Sequence, residues 1–389
     1  MAAKKEHERL LRISRRNDTP LWQNILIRIG FILFAFLICG LISMMADPTH
    51  NFGAFYYYIF RGNFSSTKVF VTLLWQTALL FVIALAITPA FKMKFWNIGA
   101  EGQCLMGALG ALIAMKFIAP SVPNFLAIVI ELAMAVGFGL AWAVIPAIFK
   151  AHFNTNETLF TLMMNYVAMG LVAASVMAWS TSGSNVLGIV NRAKHEGWLP
   201  YVGTLNNSFL LNIIFVVLVG VLIWVYLRFS KHGYELSVVG GSRDTAKYVG
   251  INVKAVIIRT MILSGAICGI AGFLMVAGAS HTISETLVGG RGFTAILVSW
   301  LGSFSVPLMA IYAFLVSFIS VGGSYAASQL QYSATVSNVL TGVFFIFVIM
   351  SNFFINFRVH INLFKKKDGT SSLEEVTFDK PSEEIKEGN

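Results

Sequence analysis

The chain's 389 residues would suffice for two soluble domains, but AVILMFWYC make up 57% of them and DEKR only 12%, about half the charged fraction of a soluble protein. So little charge excludes a water-facing globular surface and suits an outer wall that faces lipid. The net charge of +10 gathers in the N-terminal arm, at 365–367 and in short connectors rather than in a stripe, which excludes nucleic acid as a partner.

The arm 1–21 holds Lys4, Lys5, Arg9, Arg12, Arg15 and Arg16. A signal-peptide core is about 7–15 residues long and ends at a small-residue site. The apolar run 22–45 is longer, ends at Asp47-Pro48, and reads as a retained first span. The aromatic cluster Phe52, Phe55, Tyr56, Tyr57, Tyr58 and Phe60 follows, with the composition of an interfacial belt or a short surface helix. A spanning helix needs about 20 apolar residues, and 69–91, 98–117, 125–149, 158–179, 209–229, 256–278, 307–327 and 336–357 supply them. The run 293–304 is too short to cross alone; a broken or half-length helix is allowed at membrane depth only where protein or a cavity satisfies its backbone.

The fold class is therefore all-α, a polytopic integral membrane protein of about ten transmembrane helices including a short or broken one, over 22–357. The Lys/Arg bias of ends and connectors puts both termini and the connector 230–254 in the cytoplasm. The Glu-, Lys- and Ser-rich tail 358–389 follows and reads as disordered. Cys39, Cys104 and Cys268 lie far apart inside apolar runs, so they read as packing residues and not as a disulfide framework or zinc site.

No phosphate-binding G-x-x-x-x-G-K-[ST] loop occurs; Gly240-Gly241-Ser242-Arg243 comes nearest and lacks the Lys-Ser/Thr ending. Metal and hydrolase motifs are also absent from the sequence, and no paired carboxylates or Ser/His set suggests an intramembrane enzyme. Energy coupling must then come from a gradient or from a nucleotide-hydrolysing partner. Asn97, Glu101 and Gln103 stand among glycines at the opening of the third span. The cluster fits a polar-solute site on an unwound turn, or equally a capped helix start. Asn156 and Glu157 precede the fifth span as natural caps, whereas the mid-span amide of Asn165 needs an interhelical partner or a wet cavity. Gly265, Gly269 and Gly272 form a close-packing face. In the connector, Ser242 and Asp244 can cap a short helix through 246–249, ended by Gly250. Such a helix is either a lever for a soluble partner or an ordinary connector.

Several stretches resemble the permease family of bacterial ABC importers for ribose-like sugars and nucleosides. Asn97-Ile98-Gly99-Ala100-Glu101-Gly102-Gln103 is similar to the N-I-G-x-E-G-Q motif of the nucleoside branch, and Asn156-Glu157 with Thr161 through Tyr166 to its N-E…T-x-M-x-N-Y stretch. Gly233, Tyr234, Glu235, Leu236, Gly240, Ala246, Gly250 and Ile251 resemble the family's coupling loop, here 230–255, with Val249 in place of an alanine. Gly292-Phe293 through Leu301-Gly302 and Pro307 fit a further motif, with Arg291, Ser299 and Trp300 as departures. The likeness runs in order over about residues 70–350.

The resemblance implies a multi-pass permease of the cytoplasmic (inner) membrane, in contact with membrane lipid and not itself an enzyme. It implies no cofactor in this chain, with ATP and Mg used by an ATP-binding subunit. A second homologous permease or a second copy, and a substrate-binding lipoprotein, would complete the importer. Under it, Asn97, Glu101, Gln103, Asn156, Glu157 and Asn165 form the candidate translocation set, and Gly233, Tyr234, Glu235, Gly240, Arg243, Asp244, Ala246, Gly250 and Ile251 couple to the ATPase. The solute would be a purine nucleoside; a ribose-type sugar is the alternative, and a gradient-driven secondary transporter the reading from another class.

Overall fold

A computed structural model describes residues 11–16, 20–46, 52–180, 187–200 and 209–361. The helices run in order α1 (Leu21–Ala46), α2 (Phe52–Phe64), α3 (Thr67–Lys92), α4 (Ala100–Phe117), α5 (Asn124–Phe153), α6 (Glu157–Trp179) and α7 (Phe209–Phe229). They continue as α8 (Lys231–Gly241), α9 (Arg243–Tyr248), α10 (Val253–Met275), α11 (Arg291–Leu301), α12 (Val306–Gln329) and α13 (Ala334–Asn356). Nine helices among the described residues are long and apolar enough to cross a membrane, each on one of the expected full-length runs. The tenth expected element is α11, whose 11 residues reach about 16 Å, half the hydrocarbon thickness. Apart from one short ribbon the fold is all-α and polytopic.

That ribbon departs from the sequence reading of 1–21 as an arm and 358–389 as a disordered tail. Strand β1 (Leu11–Arg15) pairs antiparallel with β2 (Phe357–Ile361), placing Arg12 opposite His360 and Arg15 opposite Phe357. Both segments alternate apolar and polar residues, the period of a strand. The remainder of the tail, 362–389, and residues 1–10 lie outside the described residues. Because β1 leads into α1 and β2 follows α13, the segments flanking the first and last spans meet on one face of the bundle. Above the ribbon, α1 and α13 pack through Phe31 on Phe354 (5.3 Å between ring centroids) and Phe34 on Phe347 (5.1 Å).

The aromatic cluster forms a docked helix rather than a belt alone. Phe55 and Ile59 of α2 are buried while Tyr57 and Phe60 are exposed. Asn63 donates from Nδ2 to the carbonyls of Ile59 (2.9 Å) and Phe318 of α12 (3.0 Å), fixing α2 against α12.

Helices α3, α4 and α10 form the buried centre. Small residues let them approach. A Cβ on Gly265 would meet Ala143 and the Gly139 carbonyl of α5; one on Gly272 would meet the Cys104 carbonyl of α4. Between them Gly269 touches the backbone of Ala135 on α5 and lies against Gly107 of α4. Lipid tails compete poorly with such close backbone contact. Cys39, Cys104 and Cys268 are buried and unpaired in disulfides, as packing residues should be. On the opposite face from the ribbon, 187–200 folds over the end of α10, where Trp198 stacks between His195 (4.2 Å) and His281 (3.6 Å).

Gly269→Ala should therefore destabilise the detergent-solubilised protein by about 2–3 kcal/mol, since only backbone surrounds the added methyl. Gly137→Ala, on the exposed side of α5 with open space around it, should not lower the melting temperature. Equal melting temperatures for the two variants would refute this packing.

Candidate functional site

Two helices are broken inside the bundle, and one polar cluster holds both breaks. After α3 the chain turns back as 93–99 before α4 begins, so the amides that precede a helix lack helical partners. Asn97 meets this locally: Oδ1 accepts from Gly99 N (3.0 Å) and from Gln103 Nε2 (3.2 Å), while Nδ2 donates to Ser264 Oγ of α10 (3.2 Å). Thr161 Oγ1 of α6 accepts from Ile98 N (3.1 Å). Asn165, one turn further along α6, donates to the Ile98 carbonyl (2.9 Å) and accepts from Gly102 N (2.8 Å). The mid-span amide thus has the interhelical partners its position required.

The second break is the start of α11. Gly289 and Gly290 adopt φ of +63° and +78°, the left-handed region that favours glycine. The turn aims the free amides of Gly290 and Gly292 at Glu101, whose two carboxylate oxygens accept one each at 2.7 Å. An anion at a helix N-terminus is favoured by the helix dipole, and bonds to a charged acceptor are about twice as strong as neutral ones. Arg291 is anchored by Gln76 Oε1 of α3 (2.9 Å) and the Val288 carbonyl (2.8 Å), adding a positive charge near Glu101. At the other end of α11, Ser299 meets Thr88 of α3 (2.8 Å) and Trp300 packs on Trp96.

Asn97, Glu101, Gln103 and Asn165 are brought together and fully buried, with their polar atoms turned to backbone and to each other. Asn156 and Glu157 lie apart, at the end of α6. Asn156 Oδ1 caps that helix through Thr158 N (3.1 Å) and Leu159 N (3.3 Å), and Glu157 pairs with Lys150 at 2.7 Å. Asn156 also lines a groove of about 380 Å³ along α6 with Leu159, Met163 and Val167. Gln76, Thr88 and Ser264 escaped sequence reasoning, because single polar residues in apolar runs carry no local signal; Thr161 and Ser299 stand within the motifs, but nothing local shows their partners. Glu131 also escaped it: it is buried on α5 without a hydrogen-bond partner among the described residues, against Gly197.

A half-length helix opened against a buried carboxylate is a feature transporters share, and sequence comparison shows the family. The family model described as branched-chain amino acid transport system / permease component matches residues 69–349. The chain belongs to this family.

Among relatives of the permease, the guanosine ABC transporter permease protein NupP of Bacillus subtilis (strain 168) is 28% identical over 279 residues, 69% of this chain and 77% of its own. The nucleoside ABC transporter permease protein NupB of Lactococcus lactis subsp. cremoris (strain MG1363) is 25% identical over 312 residues, covering 77% and 84%. The glucose ABC transporter permease protein TsgB13 of Haloferax volcanii is 26% identical over 363 residues, covering 90% and 94%. With nine helices among the described residues long and apolar enough to span, the permease is a multi-pass protein of the cytoplasmic membrane. As an ABC permease subunit it is not itself an enzyme.

On the ribbon's face the permease carries α8 and α9, of which the sequence reading held only α9. Ser230 caps α8 through Gly233 N (3.0 Å), and Ser242 caps α9 through Thr245 N (3.2 Å); Gly250, at φ +80°, ends α9. Gly233 and Gly240 lie directly on the carbonyls of Leu227 and Lys92, leaving no room for a Cβ. His232 bridges Tyr226 of α7 (3.0 Å) and Thr260 of α10 (3.2 Å), and burial holds its pKa below the ordinary 6.5. Glu235 is buried near Arg259 (3.9 Å), while Tyr234 projects. Ala246 points inward at 0% exposure, packed in the same cluster as Leu236, Val256 and Met261. The sequence reading counted it among the residues that couple to the ATPase; in the fold Arg243 is half-buried, Asp244 and Gly250 are exposed, Ile251 packs against the inner cluster, and Tyr248 is 93% exposed.

Glu101→Gln retains one acceptor but points an amide N–H at a second N–H. The start of α11 should then lose about 2 kcal/mol. Uptake should fall with the variant still inserted and folded, and a cysteine placed at Thr294 should react faster with a polar maleimide than in wild type. Unchanged uptake and unchanged labelling would make Glu101 a spectator.

Proposed function

We propose that the chain is a transmembrane subunit of an ABC importer that moves purine nucleoside-like solutes by alternating access. The observation that carries this reading is the Asn97–Gln103 stretch built into a working structural element, in a chain whose relatives include guanosine and nucleoside permeases. The work comes from ATP and Mg in a separate ATP-binding subunit, which grips the face bearing α8 and α9. That face is cytoplasmic: Lys92, Lys94, Arg228, Arg243, Lys247, Lys254 and Arg259 gather there, against Arg192 and Lys194 in 187–200. The ribbon of 11–15 and 357–361 lies on the same face. A second homologous permease or a second copy, and an external substrate-binding lipoprotein, complete the complex.

Within this scheme α10 is the connecting rod. Thr260 holds His232 of α8, and Ser264, one turn on along the same helix face, holds Asn97. Asn97, Glu101, Gln103 and Asn165 keep the broken segments in register beside the solute path, and Asn156 and Glu157 stand at its cytoplasmic mouth. The sugar reading is favoured by one observation, the greater coverage of the glucose permease.

Uptake of labelled guanosine by cells expressing the complete importer decides between them. Unlabelled inosine should compete at concentrations near those of guanosine, and ribose and glucose should not compete even at a hundredfold excess. Competition by the sugars alone would replace the nucleoside reading with the sugar one.

A further inference from the structure

A large cavity sits away from the polar cluster, on the outer wall where the ribbon meets α1 and α13. It encloses about 740 Å³. Its walls are apolar and include Ile27, Phe31, Phe354 and Phe357, and its rim on the ribbon side carries Arg16 and Arg358. Arg16 Nε is buried without a hydrogen-bond partner, and among the described residues no carboxylate pairs with Arg16 or Arg358.

Two features say what fills it. The neighbouring α1 surface is lipid-facing: Ile25, Leu26, Ile29 and Leu33 are all exposed. The α1 wall of the cavity runs from Ile27 to Phe34, about 10 Å along the helix. A basic rim above an apolar, ring-lined shaft about 10 Å long, room for the upper part of an acyl chain, matches an amphiphile with an anionic head. Inorganic phosphate would leave the ring-lined shaft unfilled, and a neutral lipid would leave two arginines unpaired.

We propose that this cavity is a binding site for an anionic phospholipid, its phosphate between Arg16 and Arg358 and an acyl chain along Phe31 and Phe354. Basic pockets between spanning helices take such headgroups because cation and phosphate meet there in a poorly screened environment. The lipid clamps the first and last spans together, since the site is built from both and from the ribbon that joins them. The site is independent of which solute is carried.

The test uses the full-length permease in neutral detergent, with phosphatidylglycerol and phosphatidylcholine of matched chains as probes. Native mass spectrometry counts retained lipid, and thermal unfolding reads the stabilisation. Wild type should retain phosphatidylglycerol about tenfold better than phosphatidylcholine and gain melting temperature from the former only. The double variant Arg16→Gln/Arg358→Gln should lose that preference while still binding lipid weakly. Gly30→Trp, which projects a ring into open space beside the shaft, should lower retention of both lipids, and decides the matter if the double variant fails to fold. Equal retention of the two lipids by wild type would overturn the proposal, as would an undiminished preference in the double variant or wild-type retention by Gly30→Trp. Full displacement by millimolar inorganic phosphate with the same melting shift would reduce the site to a simple anion pocket, and would also overturn it.

Discussion

The structure depends on one contact: the carboxylate of Glu101 receiving the two amides that open α11. A helix that starts inside a bilayer bares N–H groups that neither water nor lipid can satisfy, each costing several kcal/mol. A buried carboxylate is expensive for the same reason. Joined, the two liabilities offset each other, because the anion sits where the helix dipole is positive and each oxygen holds a short charge-assisted bond. From that contact the other restraints radiate. Gly102 is tied to Asn165 on α6, Asn97 to Ser264 on α10, and Arg291 to Gln76 on α3. Four spans thereby share one polar knot among otherwise featureless apolar packing.

The arrangement separates what is rigid from what can move. Helix α10 lies on α4 and α5 through glycine contacts too close for any larger residue, so it can shift only with its neighbours or slide along them. At its ribbon end it holds His232, and one turn deeper it holds Asn97. A single turn of α10 therefore separates the contact with α8 from the polar knot. Tyr248 on the exposed side of α9 faces away from the bundle, while Ala246 on its buried side packs onto it.

Much of the fold was legible because a bilayer imposes a length, and the apolar runs met it. The half-helix was legible for the complementary reason: 293–304 was too short to cross. Asn97, Glu101, Gln103 and Asn165 announced themselves as polar residues where polarity is costly. Their partners did not. Glu101 meets amides 189 and 191 positions away, and nothing local in the glycine turn says which carboxylate it will find. The direction of Ala246 was equally hidden, since the six residues of α9 are too few to set a hydrophobic period. The ribbon was obscured because its second strand continues the last apolar run and precedes a Lys-rich tail.

Amide hydrogen exchange on the intact protein tests the central claim most directly. If Glu101 receives the start of α11, the amides of Gly290 and Gly292 exchange as slowly as those in the middle of α10, although they lie in a turn between helices. Exchange at the rate of the exposed amides of α9 would contradict the account, because the break in the helix would then be wet and the carboxylate would be holding something else.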